Sequence, residues 1–144
     1  MKRILSLALL ASASATLLSP LAAHAHGDVT PQAVDVAALP PLGEELRGVN
    51  PYRNHKEAIR VGTSAFNQNC ARCHGLEAIS GGIAPDLRKL DLEPDTDVYF
   101  MESVRLGKVR NGAVYMPPFK EILPQEAIWA IKAYLETRRA SLDE

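Results

Sequence analysis

The stretch NQNCARCHGL, residues 67–76, contains the only two cysteines of the chain. Cys70 and Cys73 are three residues apart, and His74 follows the second cysteine directly. Two thiols and an imidazole in this order can hold a zinc ion, work as a redox-active dithiol, form a structural disulfide or attach a haem covalently. The fold and the function of the chain depend on which of these chemistries applies.

Three of the four chemistries have weak support in the sequence. A tetrahedral zinc site needs four ligands, and no second cysteine pair is present to complete it. A thioredoxin-type dithiol belongs to a βαβ setting, whereas the residues before Cys70 have a helical pattern. A disulfide between Cys70 and Cys73 would close a very short loop and would constrain the unfolded chain little. These three interpretations stay as alternatives to covalent haem.

Covalent haem is favoured by the spacing of the three side chains. C-x-x-C-H is the attachment signature of c-type haem. Residues i and i+3 of a helix share a face, so the sulfurs of Cys70 and Cys73 can reach two vinyl groups at one porphyrin edge. His74 is turned to present a nitrogen to the iron. The sequence therefore predicts one covalently bound haem c with His74 as an axial iron ligand.

The second axial ligand is predicted from the positions of two methionines. Met101 lies on the apolar stripe of a predicted helix and is interpreted as a core residue. Met116 lies in a predicted loop and precedes Pro117 and Pro118, which discourage a helix. We therefore expect Met116 to be the ligand, with Met101, His55 or an open site as alternatives. Thioether ligation raises the reduction potential of the iron and suits electron transfer.

The first 25 residues have the pattern of a secretory signal peptide. Lys2 and Arg3 precede an apolar run, and an A-x-A cleavage motif ends at Ala25. A retained membrane anchor is the alternative, but serines and Pro20 interrupt the run. We predict export to the periplasm, a mature chain that starts at His26, and no membrane span after cleavage. Without Lys2 and Arg3, 14 basic and 17 acidic residues remain, which gives no support to nucleic-acid binding.

The rest of the chain divides into a proline-rich arm, residues 26–54, and a helical domain, residues 55–140. The arm has four prolines and no sustained helical period, so we predict an extended or turn-rich segment. In the domain we expect three helices and no strand: residues 55–69 with Asn54 as N-cap, 96–106 between Asp95 and Gly107, and 124–139. The predicted fold class is all-α, with three to four short helices and long loops around the haem.

The apolar faces of these helices predict how they pack. The second helix should bury Val98, Met101 and Val104, and the third should bury Ile128, Ile131, Tyr134 and Leu135. Gly62 within the first helix costs about 1 kcal/mol relative to alanine. Close approach of another backbone would explain why a glycine is tolerated there.

Residues 58–135 resemble the small soluble class I cytochromes c. The residues similar to those at the family's crossing of first and last helices are Gly62, Phe66, Ile131 and Tyr134. The stretch APDL, residues 84–87, resembles the loop whose proline carbonyl accepts a hydrogen bond from the axial histidine, which implies this role for Pro85. Residues 115–119, YMPPF, resemble the family's methionine loop. The resemblance implies a small cytochrome c fold and electron transfer without substrate chemistry.

A narrower resemblance suggests the redox partners. The stretch GVNPYRNHKEAIRVGTSAFNQNCARCHG, residues 48–75, is similar to periplasmic cytochromes that accept electrons from PQQ-dependent alcohol dehydrogenases. It implies a monomeric one-electron carrier between such a dehydrogenase and a terminal oxidase or another cytochrome. The alternatives are a haem enzyme or gas-binding protein with a labile sixth ligand, and a subunit of a larger redox complex.

Charged residues near the predicted methionine loop leave two interpretations open. Lys108, Arg110 and Lys120 flank this loop. An acidic run lies elsewhere, at Asp91, Glu93, Asp95 and Asp97. Solvated surface is the simpler interpretation of both groups, and docking of the basic group on an acidic partner is the alternative. The candidate partners for the haem propionates are Arg88, Arg110, Tyr115 and Trp129.

Overall fold

A computed structural model of the chain describes residues 30–91 and 94–139. The predicted signal peptide, residues 1–25, and the start of the arm lie outside these ranges. The regular elements are α1 (Lys56–Asn69), α2 (Ala71–His74), α3 (Pro94–Leu106), β1 (Lys108–Arg110), β2 (Ala113–Met116) and α4 (Gln125–Arg139), with short 3₁₀ turns at Leu76–Ala78 and Leu87–Lys89. None of the helices in the described ranges has both the length and the apolar character to cross a membrane.

The crossing of α1 and α4 is the centre of the fold. At this crossing Gly62 lies against Ala130, and a Cβ at residue 62 would be only 1.9 Å from the Ala130 carbonyl oxygen. Beside it, the ring centroids of Phe66 and Tyr134 are 5.3 Å apart. The expectation that another backbone approaches Gly62 is confirmed.

Helix α4 is central rather than amphipathic, because 10 of its 15 residues are buried. Its predicted apolar face is confirmed: Ile128, Ile131, Tyr134 and Leu135 are all buried. Trp129 and Lys132 are buried on its other sides. The helix is therefore covered from several directions by α1, by α3 and by the arm.

The N-terminal cap of α1 is His55, so the prediction of Asn54 is wrong. The Nδ1 atom of His55 accepts a hydrogen bond from the Ala58 amide at 3.2 Å. Asn54 has φ of +62° and belongs to the preceding turn. A left-handed conformation is unsuitable for a cap, which has extended backbone, and His55 has that backbone with ψ of 111°.

Helix α3 begins two residues earlier than predicted and is rotated relative to the predicted stripe. It starts at Pro94, so Asp95 lies in the first turn rather than at the cap. Met101 and Val104 are buried as expected, but Val98 is 45% exposed. The buried face is Asp97, Phe100, Met101 and Val104. This is the i, i+3, i+4, i+7 pattern of a helix face, which an aspartate at its first position concealed.

A short hairpin after α3 corrects the prediction that the domain has no strand. Strands β1 and β2 are antiparallel and are joined by Asn111 and Gly112, with φ of +49° and +78°. Asn-Gly with two positive φ angles is the preferred two-residue hairpin connection. The signal was present in the sequence KVRNGAVYM, residues 108–116, but the strands are only three and four residues long.

The arm is packed on the domain from residue 30 onward. Residues 30–54 have turns and bends but neither helix nor strand. The Gln125 amide donates to the carbonyls of Gly43 and Glu45 at 2.7 and 3.0 Å. The Leu42 amide donates to the Glu126 carboxylate at 2.8 Å. Side chains of the arm that are buried are Leu39, Asn50 and Tyr52. The start of α4 is therefore held by the arm.

A buried ion network connects the arm, α3 and α4. The Asp97 carboxylate lies 3.1 Å from the Lys132 ammonium and 3.0 Å from the Arg53 guanidinium. It also accepts a hydrogen bond from the Asn50 amide at 2.8 Å. Glu136 lies 3.2 Å from Arg53. Asp97 is thus a buried partner of two cations, and the interpretation of the whole acidic run as solvated surface is wrong at this residue.

Candidate functional site

A cavity of about 600 Å³ lies between α2, α3, α4 and the hairpin. This volume falls within the range of about 300–1,000 Å³ that is usual for cofactor and ligand pockets. Its wall contains Cys70, Cys73, His74, Pro85 and Met116. The apolar side chains that line it include Leu87, Leu90, Phe100, Val104, Phe119, Ile131 and Leu135. The fold therefore brings all five predicted site residues to a single, largely apolar cavity.

The two cysteines and the histidine are presented by a single helical turn. The amides of Cys73 and His74 both donate to the Cys70 carbonyl, at 3.1 and 2.9 Å, and the Gly75 amide closes the turn on Ala71 at 2.8 Å. Gly75 has φ of +79°, which ends the turn and redirects the chain. The turn places both thiols and the imidazole against the cavity.

The Cys70 thiol differs from the activated thiols of disulfide-exchange motifs. Both cysteines are free. Burial raises the pKa of the Cys70 thiol to about 12, and the neighbouring Cys73 adds to the effect. Reactive dithiols have depressed pKa values instead. In the described ranges there is no cluster of three or more His, Cys, Asp or Glu side chains that could hold a metal ion.

His74 is oriented by a hydrogen bond to the loop after α2. Its Nδ1 lies 2.9 Å from the Pro85 carbonyl oxygen, which can only accept, so Nδ1 carries the proton. In the neutral tautomer that this bond selects, Nε2 has no proton and can act as a metal ligand. The next residue, Asp86, is fixed by Arg88 at 2.7 Å. The Arg88 guanidinium lowers the pKa of Asp86 to about 2.

The two methionines have different environments. Met116 is the last residue of β2, is half-buried and lines the cavity. Met101 is 3% exposed within the core and lies outside the cavity wall. The interpretation of Met101 as a core residue is confirmed, and Met116 has a thioether available to a group in the cavity.

Comparisons with known proteins place this site in a family. A family model described as cytochrome c oxidase, cbb3-type, subunit III matches residues 57–135. Cytochrome c550 of Pseudomonas aeruginosa is 59% identical over 119 residues, which cover 80% of this chain and 82% of the relative. The chain belongs to the cytochrome c family.

More distant relatives of this cytochrome include a protein of similar length and enzymes that are much longer. The chloroplastic cytochrome c6 of Chlamydomonas reinhardtii is 31% identical over 87% of this chain and 82% of its own length. The quinohemoprotein alcohol dehydrogenase ADH-IIG of Pseudomonas putida is 34% identical over 63% of this chain, but the match covers 12% of that enzyme. No solved structure gives a significant match.

The family membership defines the general chemistry of the cytochrome. It is an electron-transfer protein rather than an enzyme, and it carries one covalently bound haem c. The residues present fit this group, because one apolar cavity is lined by a pair of thiols, an imidazole whose Nδ1 is bonded to the Pro85 carbonyl, and a thioether. The helical fold with little strand is in agreement with the predicted class.

Of the four candidate propionate partners, two line the cavity of the cytochrome and two do not. Arg110 and Tyr115 line the cavity, whereas Arg88 and Trp129 do not. Arg88 pairs with Asp86, and Trp129 is buried in α4. Two further lining residues, Tyr99 and Lys108, were not among the predicted propionate partners. Recognition of the Asn-Gly hairpin would have assigned Lys108 and Arg110 to one strand. Residues two apart on a strand lie on the same face, so the candidate Arg110 would have indicated Lys108 as well.

Proposed function

We propose that this protein is a periplasmic monohaem cytochrome that carries one electron at a time. Its haem is attached through thioether bonds, each formed by addition of the S–H of Cys70 or Cys73 across a vinyl group. His74 and Met116 are the axial iron ligands. The observation that carries this proposal is that thiols, imidazole and thioether all line the same cavity. The chain is divided into a signal peptide, residues 1–25, an arm, residues 26–54, and the cytochrome domain, residues 55–140, and it works as a monomer.

The residues around the site favour electron transfer over ligand binding. The bound haem supplies a one-electron ferric–ferrous couple. Pro85 holds the His74 imidazole in one tautomer and one orientation, so this ligand needs no rearrangement when the charge changes. Met116 fills the remaining position and favours the ferrous state, which raises the reduction potential. The apolar side chains of the cavity exclude water.

The electron donor in this proposal is a PQQ-dependent alcohol dehydrogenase. Two enzymes named quinohemoprotein alcohol dehydrogenases, ADH-IIG and ADH IIB, contain a segment that is 34% and 33% identical to this chain. Each segment covers 12% of its enzyme. A cytochrome segment within such an enzyme supports the same electron path between separate proteins here. The acceptor is a terminal oxidase or another cytochrome.

The haem propionates are assigned to the corner between α3 and the hairpin. The Lys108 ammonium lies 4.6 Å from the Tyr99 ring centroid, and the Arg110 guanidinium carbon lies 5.8 Å from that of Tyr115. Among the described residues that line the cavity there is no Asp or Glu. Two cations and two phenols without acidic counterparts suit two carboxylates.

The attachment and ligation are tested on the secreted protein. Mass spectrometry should find a chain that starts at His26 with one covalently bound haem. The ferric protein should show the charge-transfer band of an iron–thioether bond, and the ferrous protein should bind carbon monoxide slowly. A chain without added porphyrin would refute the attachment, and rapid carbon monoxide binding would favour a haem protein with a labile sixth ligand.

The donor is tested by stopped-flow reduction of the purified cytochrome. A quinoprotein alcohol dehydrogenase with its alcohol should reduce the ferric protein much faster than a nicotinamide-dependent alcohol dehydrogenase does. Equal, slow reduction by both enzymes would refute the donor. The same experiment at several salt concentrations tests whether Lys108 and Arg110 also guide docking of the donor. Docking through Lys108 and Arg110 makes the rate fall with salt.

A further inference from the structure

Gly107 joins the end of α3 to the hairpin, and its backbone conformation is one that side chains disfavour. Its φ is +70°, and its amide donates to the Ser103 carbonyl at 3.0 Å, so it ends α3 as a left-handed glycine. A Cβ at residue 107 would lie 2.4 Å from the Met116 carbonyl oxygen. It would also lie 2.8 Å from atoms of Pro117 and Pro118. The backbone of the methionine segment, residues 116–118, therefore rests directly on Gly107.

Backbone pairing and hydrogen bonds fix the methionine segment at both of its ends but not between them. Before it, Lys108 pairs with Met116, and the register shifts between Lys108 and Val109. After it, the Phe119 amide donates to the Val104 carbonyl at 3.1 Å. Lys120 donates to Arg105 in the same way, at 3.2 Å. Carbonyls in the last turn of a helix have no partner within the helix, so α3 uses them to anchor this loop.

Between these anchors the segment has no amide of its own to donate. Pro117 and Pro118 lack N–H groups. The position of this backbone relative to the cavity is therefore set by its packing against the end of α3. Real Cβ atoms do not come within 3.0 Å of such a neighbour, so any side chain at residue 107 has to move the segment away from α3. The shift needed is on the order of 1 Å, enough to spoil the geometry of a metal ligand.

We propose that Gly107 is a positioning residue for Met116: its missing side chain lets residues 116–118 sit close enough to α3 for the Met116 thioether to reach the iron. The proposal rests on the proposed role of Met116 as an axial ligand. Gly107 lies outside the cavity wall, but in this proposal it influences how Met116 coordinates the iron.

The hairpin provides a matched control in Gly112. Gly112 also has a positive φ, +78°, but an added Cβ there would have no neighbour within 4 Å. Gly107→Ala and Gly112→Ala therefore introduce the same side chain at a similarly strained conformation, and only the first displaces the methionine segment. Gly107→Asn is a second variant, because asparagine tolerates positive φ better than alanine and keeps the Cβ.

The holoproteins are compared by ferric absorbance, ferrous carbon monoxide binding and reduction potential. Gly107→Ala and Gly107→Asn should lose most of the iron–thioether band, bind carbon monoxide faster and have lower potentials. Gly112→Ala should keep the wild-type values even if it is less stable. Denaturation midpoints measured in parallel separate ligand displacement from general destabilisation.

Each outcome distinguishes this inference from the function on which it rests. If Met116→Leu abolishes the band while both Gly107 variants keep it with wild-type potentials, the positioning role is refuted and the ligand role of Met116 stands. If Gly112→Ala loses the band as fully as Gly107→Ala does, hairpin strain is the cause and the positioning role is also refuted. If Met116→Leu leaves the band unchanged, the ligand assignment itself fails.

Discussion

The Lys132 ammonium lies 3.1 Å from the Asp97 carboxylate, and the side chains are 1% and 0% exposed. Lys132 belongs to α4 and Asp97 to α3, so this ion pair connects two helices that line the cavity. The Lys132 ammonium is also 5.7 Å from the ring centroid of Phe100, a residue of the cavity wall. A buried ion pair therefore lies behind the cavity wall and contacts it through Phe100.

Asp97→Asn should destabilise the protein by about 3–5 kcal/mol, because it leaves the buried Lys132 without its closest carboxylate. The remaining acid, Glu136, is 3.9 Å from the ammonium. The free energy of unfolding is measured by urea denaturation of the holoprotein. Asp95→Asn, at an exposed residue of the same helix, is the control and should change it by no more than about 0.5 kcal/mol. Equal effects of the two variants would contradict this prediction.

Gly62→Ala should destabilise the crossing of α1 and α4. The added Cβ would lie 1.9 Å from the Ala130 carbonyl oxygen, so the helices must separate. Overpacking of a core costs about 1–3 kcal/mol, and we expect a loss at the upper end because the neighbour is backbone. Thermal unfolding followed by haem absorbance measures the loss. Gly81→Ala, where a Cβ would meet nothing within 4 Å, should be neutral or slightly stabilising.

Arg88→Gln should reduce stability at neutral pH but not in strong acid. Arg88 lowers the pKa of Asp86 to about 2, so the pair stabilises the folded state above the unfolded-state pKa of about 4. This contribution is lost as pH falls from about 4 towards 2. The difference in denaturation midpoint between wild type and variant should therefore be constant above pH 4 and vanish near pH 2.

A similar ion pair away from the cavity is the control for Arg88. Arg60 is bonded to Glu57 on the exposed side of α1 and lowers the pKa of that carboxyl. Arg60→Gln should lose a smaller stability contribution, because the pair is exposed, and that contribution should also fade in acid, without any change in the absorbance of the haem. Arg88→Gln should also disturb the haem spectrum, because Asp86 follows the residue that orients His74. Identical haem spectra of wild type and Arg88→Gln would contradict this second effect.

Met116→Leu should remove the iron–thioether band of the ferric protein, lower the reduction potential and allow rapid carbon monoxide binding by the ferrous protein. These changes follow from the proposed role of Met116 as the sulfur ligand, since leucine removes the sulfur with little change in side-chain volume. Met101→Leu is the matched control, since Met101 is buried in the core outside the cavity. It should cost less than about 1.5 kcal/mol and leave the spectrum unchanged.

The local features of the site could be predicted because they depend on residues near one another in sequence. Cys70, Cys73 and His74 lie within five residues, and a single turn of helix is enough to group them. The burial of Met101 and the tolerated Gly62 were also predictable, because a helical period and an isolated glycine indicate packing directly. The hairpin was missed although Asn111-Gly112 is a strong local signal, because its strands are short and exposed.

By itself, the sequence determined the cofactor chemistry, the helical class and the approximate helix boundaries, since side-chain spacing and periodicity act over a few residues. Only the tertiary structure decided that Asp97 is buried against Lys132 and Arg53, that Gly107 supports the backbone of Met116, and that Tyr99 belongs to the cavity. Each of these contacts joins separate elements of the chain. Their energies depend on the distances at which those elements pack, and no local pattern of residues encodes such distances.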